Sequence, residues 1–170
     1  ENFHPMRFFV EPVIVILNQI EKDYSFEKFS MIGLSGGGWT TIIVAAIDER
    51  INESYSVAGS FPIWLRSDAK DFGDYEQTVP EFYQIANYQE LYFLSDYGKD
   101  RHLTLFYNEF DSCCFSGSLY NKFPFGNAIK TKLSEFEKSN FDVIVDYGET
   151  EHIISDKTLE TITLQIEKTQ

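Results

Sequence analysis

The sequence predicts an α/β fold in three layers, in which helices cover both faces of a mostly parallel sheet of about four strands. Short apolar runs of strand length alternate along the chain with longer segments whose apolar residues recur at helical spacing. Strands that are separated by helices pair in parallel, because each helix carries the chain back across the sheet. With 170 residues the chain is long enough for one domain with a substantial core, and we expect residues 1–170 to form it.

Composition narrows the range of partners. The chain is 43% hydrophobic and 16% aromatic, which is typical of a globular protein. It has 14 Lys and Arg residues against 27 Asp and Glu residues, and the resulting net charge of −13 argues against nucleic acid or an anionic membrane as a partner. The apolar runs are all shorter than the ~18 residues that a membrane-spanning helix needs. The cellular compartment is left open.

The predicted elements follow one another without repeats or linkers. The helix after the first strand is well defined, because Trp39, Ile42 and Ile43 begin an apolar stripe with helical spacing. This position predicts that Trp39 packs in the core rather than against a substrate. In order, we predict a helix at 6–21, a strand at 28–34, a helix from 39 to about 50, a strand at 55–61, an insertion at 66–99, a strand at 103–107, a helix at 127–138, a strand at 141–145 and a closing helix from residue 156 onward. Asp156 is expected to be the N-cap of that closing helix.

The insertion at 66–99 interrupts the regular alternation of strands and helices. Its first half is acidic and its second half is rich in Phe and Tyr. One interpretation is a lid-like segment that covers a substrate pocket at one end of the sheet. The other is an ordinary helical connection whose aromatic side chains pack on the sheet. The sequence does not decide between them.

A serine between glycines stands where the first strand meets the following helix. Gly33-Leu34-Ser35-Gly36-Gly37 matches the pattern G-x-S-x-G, in which a sharp strand-to-helix turn exposes the serine hydroxyl. Glycine is expected two residues before and two residues after Ser35, because strand and helix approach too closely there for a Cβ. The five-residue pattern is weak by itself, but its position between a strand and a helix strengthens it.

Two later loops supply the partners that a serine nucleophile needs. In a parallel sheet the reactive residues gather at the carboxyl ends of the strands, and Ser35, Asp111 and His152 each follow a predicted strand. His152 is predicted to act as general base, and Asp111 to hold the imidazole in the required tautomer. The N–H of Gly36 is expected to donate a hydrogen bond to the developing oxyanion.

Other residues compete for these roles. Glu109 rivals Asp111 because it lies closer to the end of its strand, and Asp146 is a more distant alternative. His4 precedes every predicted strand and His102 begins one, so we interpret both as structural or exposed.

The two cysteines, Cys113 and Cys114, are neighbours in the sequence. They form no disulfide framework and do not have the spacing of zinc ligands. We interpret them as partly buried reduced thiols, with a bond between them or a redox role as the alternative. No metal and no cofactor is predicted.

Residues 33–39, 108–115 and 152–155 together resemble the second half of an α/β-hydrolase, with Ser, Asp and His in the chain order of that superfamily. Within it the chain is similar to esterase-like, acetyl-xylan-esterase-like and dipeptidyl-aminopeptidase-like proteins. The resemblance extends from about Met6 to the C-terminus. It implies hydrolysis of a carboxylic ester through an acyl-enzyme, without a cofactor. The alternatives are a peptidase of the same fold and a non-catalytic binding or assembly module.

One departure from the family pattern affects this interpretation. The nucleophile of the family follows its fifth strand, whereas Ser35 follows the first predicted strand here. The loop that supplies the second oxyanion donor in the family precedes that point and has no counterpart. We expect the chain to be the C-terminal part of a longer protein, with the edge of its first strand covered by the missing segment or by a partner subunit. A shorter, self-sufficient sheet is the alternative.

Overall fold

A four-stranded parallel sheet forms the centre of the protein. The computed structural model describes residues 4–136 and 140–169. The strands lie in the order β1-β2-β3-β4, and each pairs in parallel with its neighbours. The predicted α/β class and the parallel sheet are therefore confirmed. The strands are β1 (Phe29–Leu34), β2 (Ile51–Val57), β3 (His102–Asn108) and β4 (Asp142–Asp146).

Helices cover both faces of this sheet. The helices are α1 (Arg7–Asp23), α2 (Gly36–Ile47), α3 (Pro80–Tyr83), α4 (Tyr88–Asp96), α5 (Gly117–Lys122), α6 (Gly126–Ser134) and α7 (Asp156–Thr169). Leu103 and Leu105 of β3 face the larger core cluster, to which α2, α4, α5 and α6 contribute. The intervening Phe106 faces the other way and packs with Ile162 of α7. α1 packs against α2 in a third cluster around the buried Leu17.

The second strand differs most from the prediction. It was predicted at 55–61, but β2 is Ile51–Val57. The strand ends where it does because Ala58 takes a positive φ of 44°, which breaks the extended conformation. The strand begins earlier than predicted because it can include the charged residue Glu53. This side chain is 2% exposed, and it accepts a hydrogen bond of 2.6 Å from Ser30 Oγ of β1. The polar residues of 52–54 concealed the start of the strand in the sequence.

Two helical predictions also needed correction. Asp156 is the first residue of α7 rather than its cap, because Ser155 Oγ accepts the Thr158 amide at 3.1 Å. The helix predicted at 127–138 is Gly126–Ser134, and positions 137 and 138 lie outside the described residues. α5 lies between the strand predicted at 103–107 and the helix predicted at 127–138, where no helix was predicted.

The insertion has two structurally different parts. The first contains 3₁₀ turns at Ala69–Phe72 and Tyr75–Gln77, and a further 3₁₀ turn at Ile63–Leu65 precedes the insertion. The second contains α4, which buries Tyr88 and Tyr92 against the core. Trp39 is 1% exposed and donates from Nε1 to the Tyr83 hydroxyl at 2.8 Å, so the predicted core position of this tryptophan is confirmed. Among the described helices none is both long enough and apolar enough to cross a membrane.

Candidate active site

Ser35 lies in a strained turn between β1 and α2. Its backbone has φ 55° and ψ −123°, a conformation that residues other than glycine rarely adopt. The turn is held because the Ser35 amide donates to the carbonyl oxygen of Val57 at 2.9 Å, at the end of β2. Strain of this kind costs about 1–3 kcal/mol and persists only where the surrounding structure fixes it. The side chain is half-buried, and it lies at the carboxyl-end edge of the sheet.

Close approach of strand and helix explains two of the glycines in this turn. A Cβ on Gly33 would lie 2.2 Å from the carbonyl oxygen of Gly37, and one on Gly38 would lie 2.9 Å from Gly33 O and from Gly59 Cα. A Cβ on Gly37 would meet no atom within 4 Å. The expectation that glycine is required two residues after Ser35 was therefore wrong. The tight contact lies one residue later, at Gly38.

The amino end of α2 points toward the turn. Ser35 is the residue that precedes the first helical turn, and Gly36 begins it. The first amides of a helix have no acceptor within the helix, so the Gly36 N–H is free to bind an oxygen from outside. The partial positive charge at this end of the helix favours an anion at the same place.

Asp111 and His152 form a hydrogen-bonded pair. Asp111 Oδ2 and Oδ1 lie 2.9 Å and 3.1 Å from His152 Nδ1. The Asp111 side chain is 0% exposed, and its Oδ1 also accepts the amides of Cys113 at 2.8 Å and Cys114 at 3.1 Å. These amide donors hold the carboxylate in place, and the carboxylate orients the imidazole with Nδ1 as the donor.

The competing residues have other partners. Glu109 Oε2 accepts the Gly148 amide at 2.8 Å, which ties together the loops after β3 and β4. Asp146 accepts hydrogen bonds from Ser155 Oγ and from Lys157 Nζ. His102 is at the opposite end of β3, where its Nε2 is 3.0 Å from the Tyr55 hydroxyl. In the described part of the chain, Asp111 is the acid that contacts His152.

Ser35 and His152 lie at the same edge of the sheet but are not hydrogen bonded to each other. The strand β2 separates β1 from β3, so Ser35 and Asp111 follow strands whose axes are about 10 Å apart. His152 Nε2 is buried, and among the described residues it has no hydrogen-bond partner.

Asn108 is a site residue that the sequence did not reveal. It is the last residue of β3 and is 0% exposed. Its Nδ2 donates to the carbonyl oxygens of Glu151 at 2.8 Å and Ile153 at 2.9 Å, the residues on either side of His152. One amide side chain thus fixes the backbone that carries the imidazole. A polar residue at the end of a buried strand was the only sequence signal.

The insertion contacts the loop that carries Asp111. Asp71 Oδ1 accepts the Phe115 amide at 2.8 Å, and both residues are buried. The Arg66 guanidinium lies 4.8 Å from the centre of the Phe115 ring and donates to Phe72 O at 2.8 Å and Gln77 Oε1 at 3.0 Å. Buried polar contacts of this kind fix the first part of the insertion beside the site.

The two thiols lie against the same imidazole. The Sγ atoms of Cys113 and Cys114 and a ring nitrogen of His152 all lie within 4.8 Å of one another. Cys113 is exposed and Cys114 is buried, and the two are not joined by a disulfide. Burial raises the pKa of the Cys114 thiol, and its contact with Cys113 raises it further.

Comparison with solved structures identifies the fold. No protein-family model and no curated protein sequence matches the chain. The structure of Est1E from Butyrivibrio proteoclasticus with bound ferulic acid aligns with a TM-score of 0.60 at 12% identity, over 99% of this chain and 68% of that one. The fold is that of an α/β-hydrolase.

Two further solved structures share this α/β-hydrolase fold. A 2,6-dihydroxy-pseudo-oxynicotine hydrolase aligns with a TM-score of 0.53 at 14% identity, over 94% of this chain and 45% of that one. DcsB in complex with its substrate analogue aligns with a TM-score of 0.53 at 13% identity, over 95% of this chain and 72% of that one. In each case the α/β-hydrolase fold of this chain corresponds to only part of the longer protein.

Proposed function

We propose that this chain is a serine hydrolase that cleaves a carboxylic ester through an acyl-enzyme. Ser35 is the nucleophile, His152 the general base and Asp111 the acid that orients it. In the first step His152 takes the proton of the Ser35 hydroxyl as the oxygen attacks the ester carbonyl, and it then returns that proton to the leaving alcohol. Water hydrolyses the acyl-enzyme by the same route, which regenerates Ser35.

The arrangement of Asp111 and His152 supports this proposal most strongly. The carboxylate receives Nδ1–H at 2.9 Å, which leaves Nε2 as the basic nitrogen. That nitrogen has no hydrogen-bond partner among the described residues, so it is available to a serine hydroxyl or a substrate. A buried nitrogen held in one tautomer without a partner serves no purpose in stabilising the fold. It suits a base that acts on a group arriving from outside.

The strained turn at Ser35 supports the nucleophile and the oxyanion donor. A positive φ of 55° places the serine at the tip of the strand-to-helix turn, and the following amide, that of Gly36, begins α2. That amide is our proposed oxyanion donor. Removing one such donor typically lowers the rate by ~10²–10³, so a second donor is needed for full activity.

We further propose that the first part of the insertion covers the substrate. Its exposed aromatic side chains include Phe72 at 44% and Tyr75 at 56% exposure, and Trp64, just before the insertion, is 52% exposed. The Asp71 contact to Phe115 holds this part beside the loop of Asp111. Exposed aromatic rings beside a hydrolytic site suit an aromatic acyl or alcohol group. Because Est1E has been solved with ferulic acid, hydroxycinnamate esters should be tested beside short p-nitrophenyl esters.

Active-site labelling tests the assignment of Ser35. A fluorophosphonate probe should label the protein at one residue, and Ser35→Ala should abolish the label. Ser112→Ala is the matched control, because Ser112 is an exposed serine in the loop of Asp111. Equal labelling of the protein and of Ser35→Ala would exclude Ser35 as the nucleophile. Turnover of esters but not of matching p-nitroanilides would favour an esterase over a peptidase.

A non-catalytic binding or assembly module is the second candidate. Two observations favour this second candidate. Ser35 and His152 are not hydrogen bonded to each other, and no second oxyanion donor is evident among the described residues. This function predicts neither labelling nor turnover under any condition. Activity in a longer form of the protein but not in these 170 residues would instead show that the site needs further chain.

The free edge of β1 is where such further chain would bind. β1 pairs with β2 on one side, and no other described strand pairs with it. Nearby apolar side chains are exposed, including Phe26 at 59% and Ile32 at 40%. We propose that an additional segment of the same protein or a partner subunit covers this edge, because an unpaired apolar edge promotes aggregation.

A further inference from the structure

We propose that Cys113, Cys114 and His152 form a binding site for a thiophilic divalent cation such as Zn²⁺, and that the bound ion occupies the nitrogen that the hydrolase reaction requires. The three donor atoms come from two loops that meet at the edge of the sheet, and all lie within 4.8 Å of one another. Two thiolates and an imidazole are a common ligand set of zinc, and water would complete a tetrahedral site.

The hydrogen bonds around His152 favour metal binding. A ligating histidine usually donates its other ring N–H to a carboxylate, which fixes the tautomer and increases the basicity of the ligating nitrogen. Asp111 accepts Nδ1–H at 2.9 Å, which leaves Nε2 for the ion. This nitrogen is buried and has no partner among the described residues. His152 therefore offers an unpartnered nitrogen on a ring that lies close to the two thiols.

The distances and charges are compatible with an ion. With Zn–S of about 2.3 Å and Zn–N of about 2.0 Å, the donor atoms of a tetrahedral site lie about 3.5–3.8 Å apart. Since the three atoms lie within 4.8 Å of one another, they must approach by at most about 1.3 Å, and the exposed Cys113 side chain has room to turn. Asp111 and Asp71 add negative charge near Cys114. This charge disfavours a free thiolate there but favours a bound cation. Binding displaces the thiol protons, so affinity must rise with pH.

The consequence for activity rests on the proposed function, whereas binding itself does not. An ion on Nε2 prevents His152 from accepting the proton of Ser35. Zinc would then inhibit the hydrolase reversibly, and a chelator would restore it. The sequence did not indicate the site because two adjacent cysteines lack zinc spacing and the third ligand lies on a later loop.

Cd²⁺ titration of the phosphine-reduced protein tests the binding site. We expect one equivalent to bind, with the ultraviolet charge-transfer band of a cadmium thiolate. Cys113→Ser, Cys114→Ser and His152→Asn should each lower the affinity by at least about tenfold. The matched control is His4→Asn, which replaces a histidine that precedes α1 and should bind as the unsubstituted protein does. Affinity that is unchanged in His152→Asn or in either cysteine variant would overturn the proposal.

Two further measurements avoid dependence on folding of the variants. In the unsubstituted protein, one equivalent of Zn²⁺ should protect Cys113 from iodoacetamide, and alkylation at an unchanged rate would overturn the site. Zn²⁺ should also block fluorophosphonate labelling, with recovery on addition of EDTA. Metal binding without any labelling in the metal-free protein would support the site and refute the proposed hydrolase. Labelling that continues with the metal bound would refute the claim that the ion occupies Nε2.

Discussion

Asn108 shows how one side chain fixes a functional loop. Its amide group bonds to the carbonyl oxygens of Glu151 and Ile153, so the backbone of His152 is held from both sides. Asp111 then determines the orientation of the ring. The imidazole is therefore positioned twice, through its backbone by Asn108 and through Nδ1 by Asp111. In the proposed reaction both residues would therefore act through His152.

Substitution of Asn108 by aspartate tests this positioning role. Asn108→Asp keeps the shape but replaces two N–H donors by a carboxylate oxygen that faces two carbonyl oxygens. We expect a loss of about 2–4 kcal/mol in unfolding free energy, because the introduced carboxylate is buried against two carbonyl oxygens, to which it cannot donate a hydrogen bond. Fluorophosphonate labelling should slow as the imidazole is displaced. Denaturant unfolding and labelling rates provide the measurement, with Asn127→Asp on the exposed side of α6 as control. Unchanged stability and labelling would contradict the role.

The junction of β1 and α2 was predictable as an element but not in its packing. The apolar run before Ser35 and the helical stripe after it identified both elements. The sequence did not show which glycine was sterically required, because that depends on the third segment at Gly59, which packs against Gly38. β2 was misplaced for a similar reason. Glu53 is a buried charged residue in a strand because it accepts hydrogen bonds from Ser30 of β1 and from Thr169 of α7, and both partners are distant in the sequence.

Two alanine substitutions distinguish the glycines of this junction. Gly33→Ala would place a Cβ 2.2 Å from a backbone oxygen, so strand and helix must separate. We expect it to cost more than about 2 kcal/mol of unfolding free energy. Gly37→Ala meets no atom within 4 Å and should stabilise the protein by about 0.5–1 kcal/mol, because alanine favours the helix. Denaturant unfolding of the pair checks this. Equal effects of both substitutions would show that the junction is not tightly packed.

At the scale of the whole molecule, topology explains why part of the site was predictable. Ser35, Asp111 and His152 follow different strands of one parallel sheet, and all such strand ends meet at one edge. The convergence of the loops was therefore implied by the alternation of strands and helices. Asn108 and the thiols were not predictable in the same way. Their roles depend on contacts within the loops, which no periodicity encodes.

His102 provides a prediction about the stability of the whole fold. It begins β3 and lies edge-on to the Tyr55 ring, with ring centroids 5.3 Å apart. Burial lowers the pKa of His102 below its usual value of about 6.5. The unfolded chain therefore binds a proton at a higher pH than the folded protein does. The stability that the neutral imidazole contributes is present above about pH 6.5 and is lost as the pH falls through the lower, folded-state value.

We expect the unfolding free energy to fall by at most about 1.4 kcal/mol per pH unit below pH 6.5 because of this one group. His102→Gln should remove that slope, since glutamine cannot be protonated in this range. The net charge of −13 also shrinks on acidification, which relieves repulsion and acts in the opposite direction. Denaturant unfolding of both proteins at about 0.5 M NaCl, where surface charges are screened, isolates the contribution of His102. If the two proteins have the same slope between pH 7 and pH 5, protonation of His102 does not limit the stability of the fold.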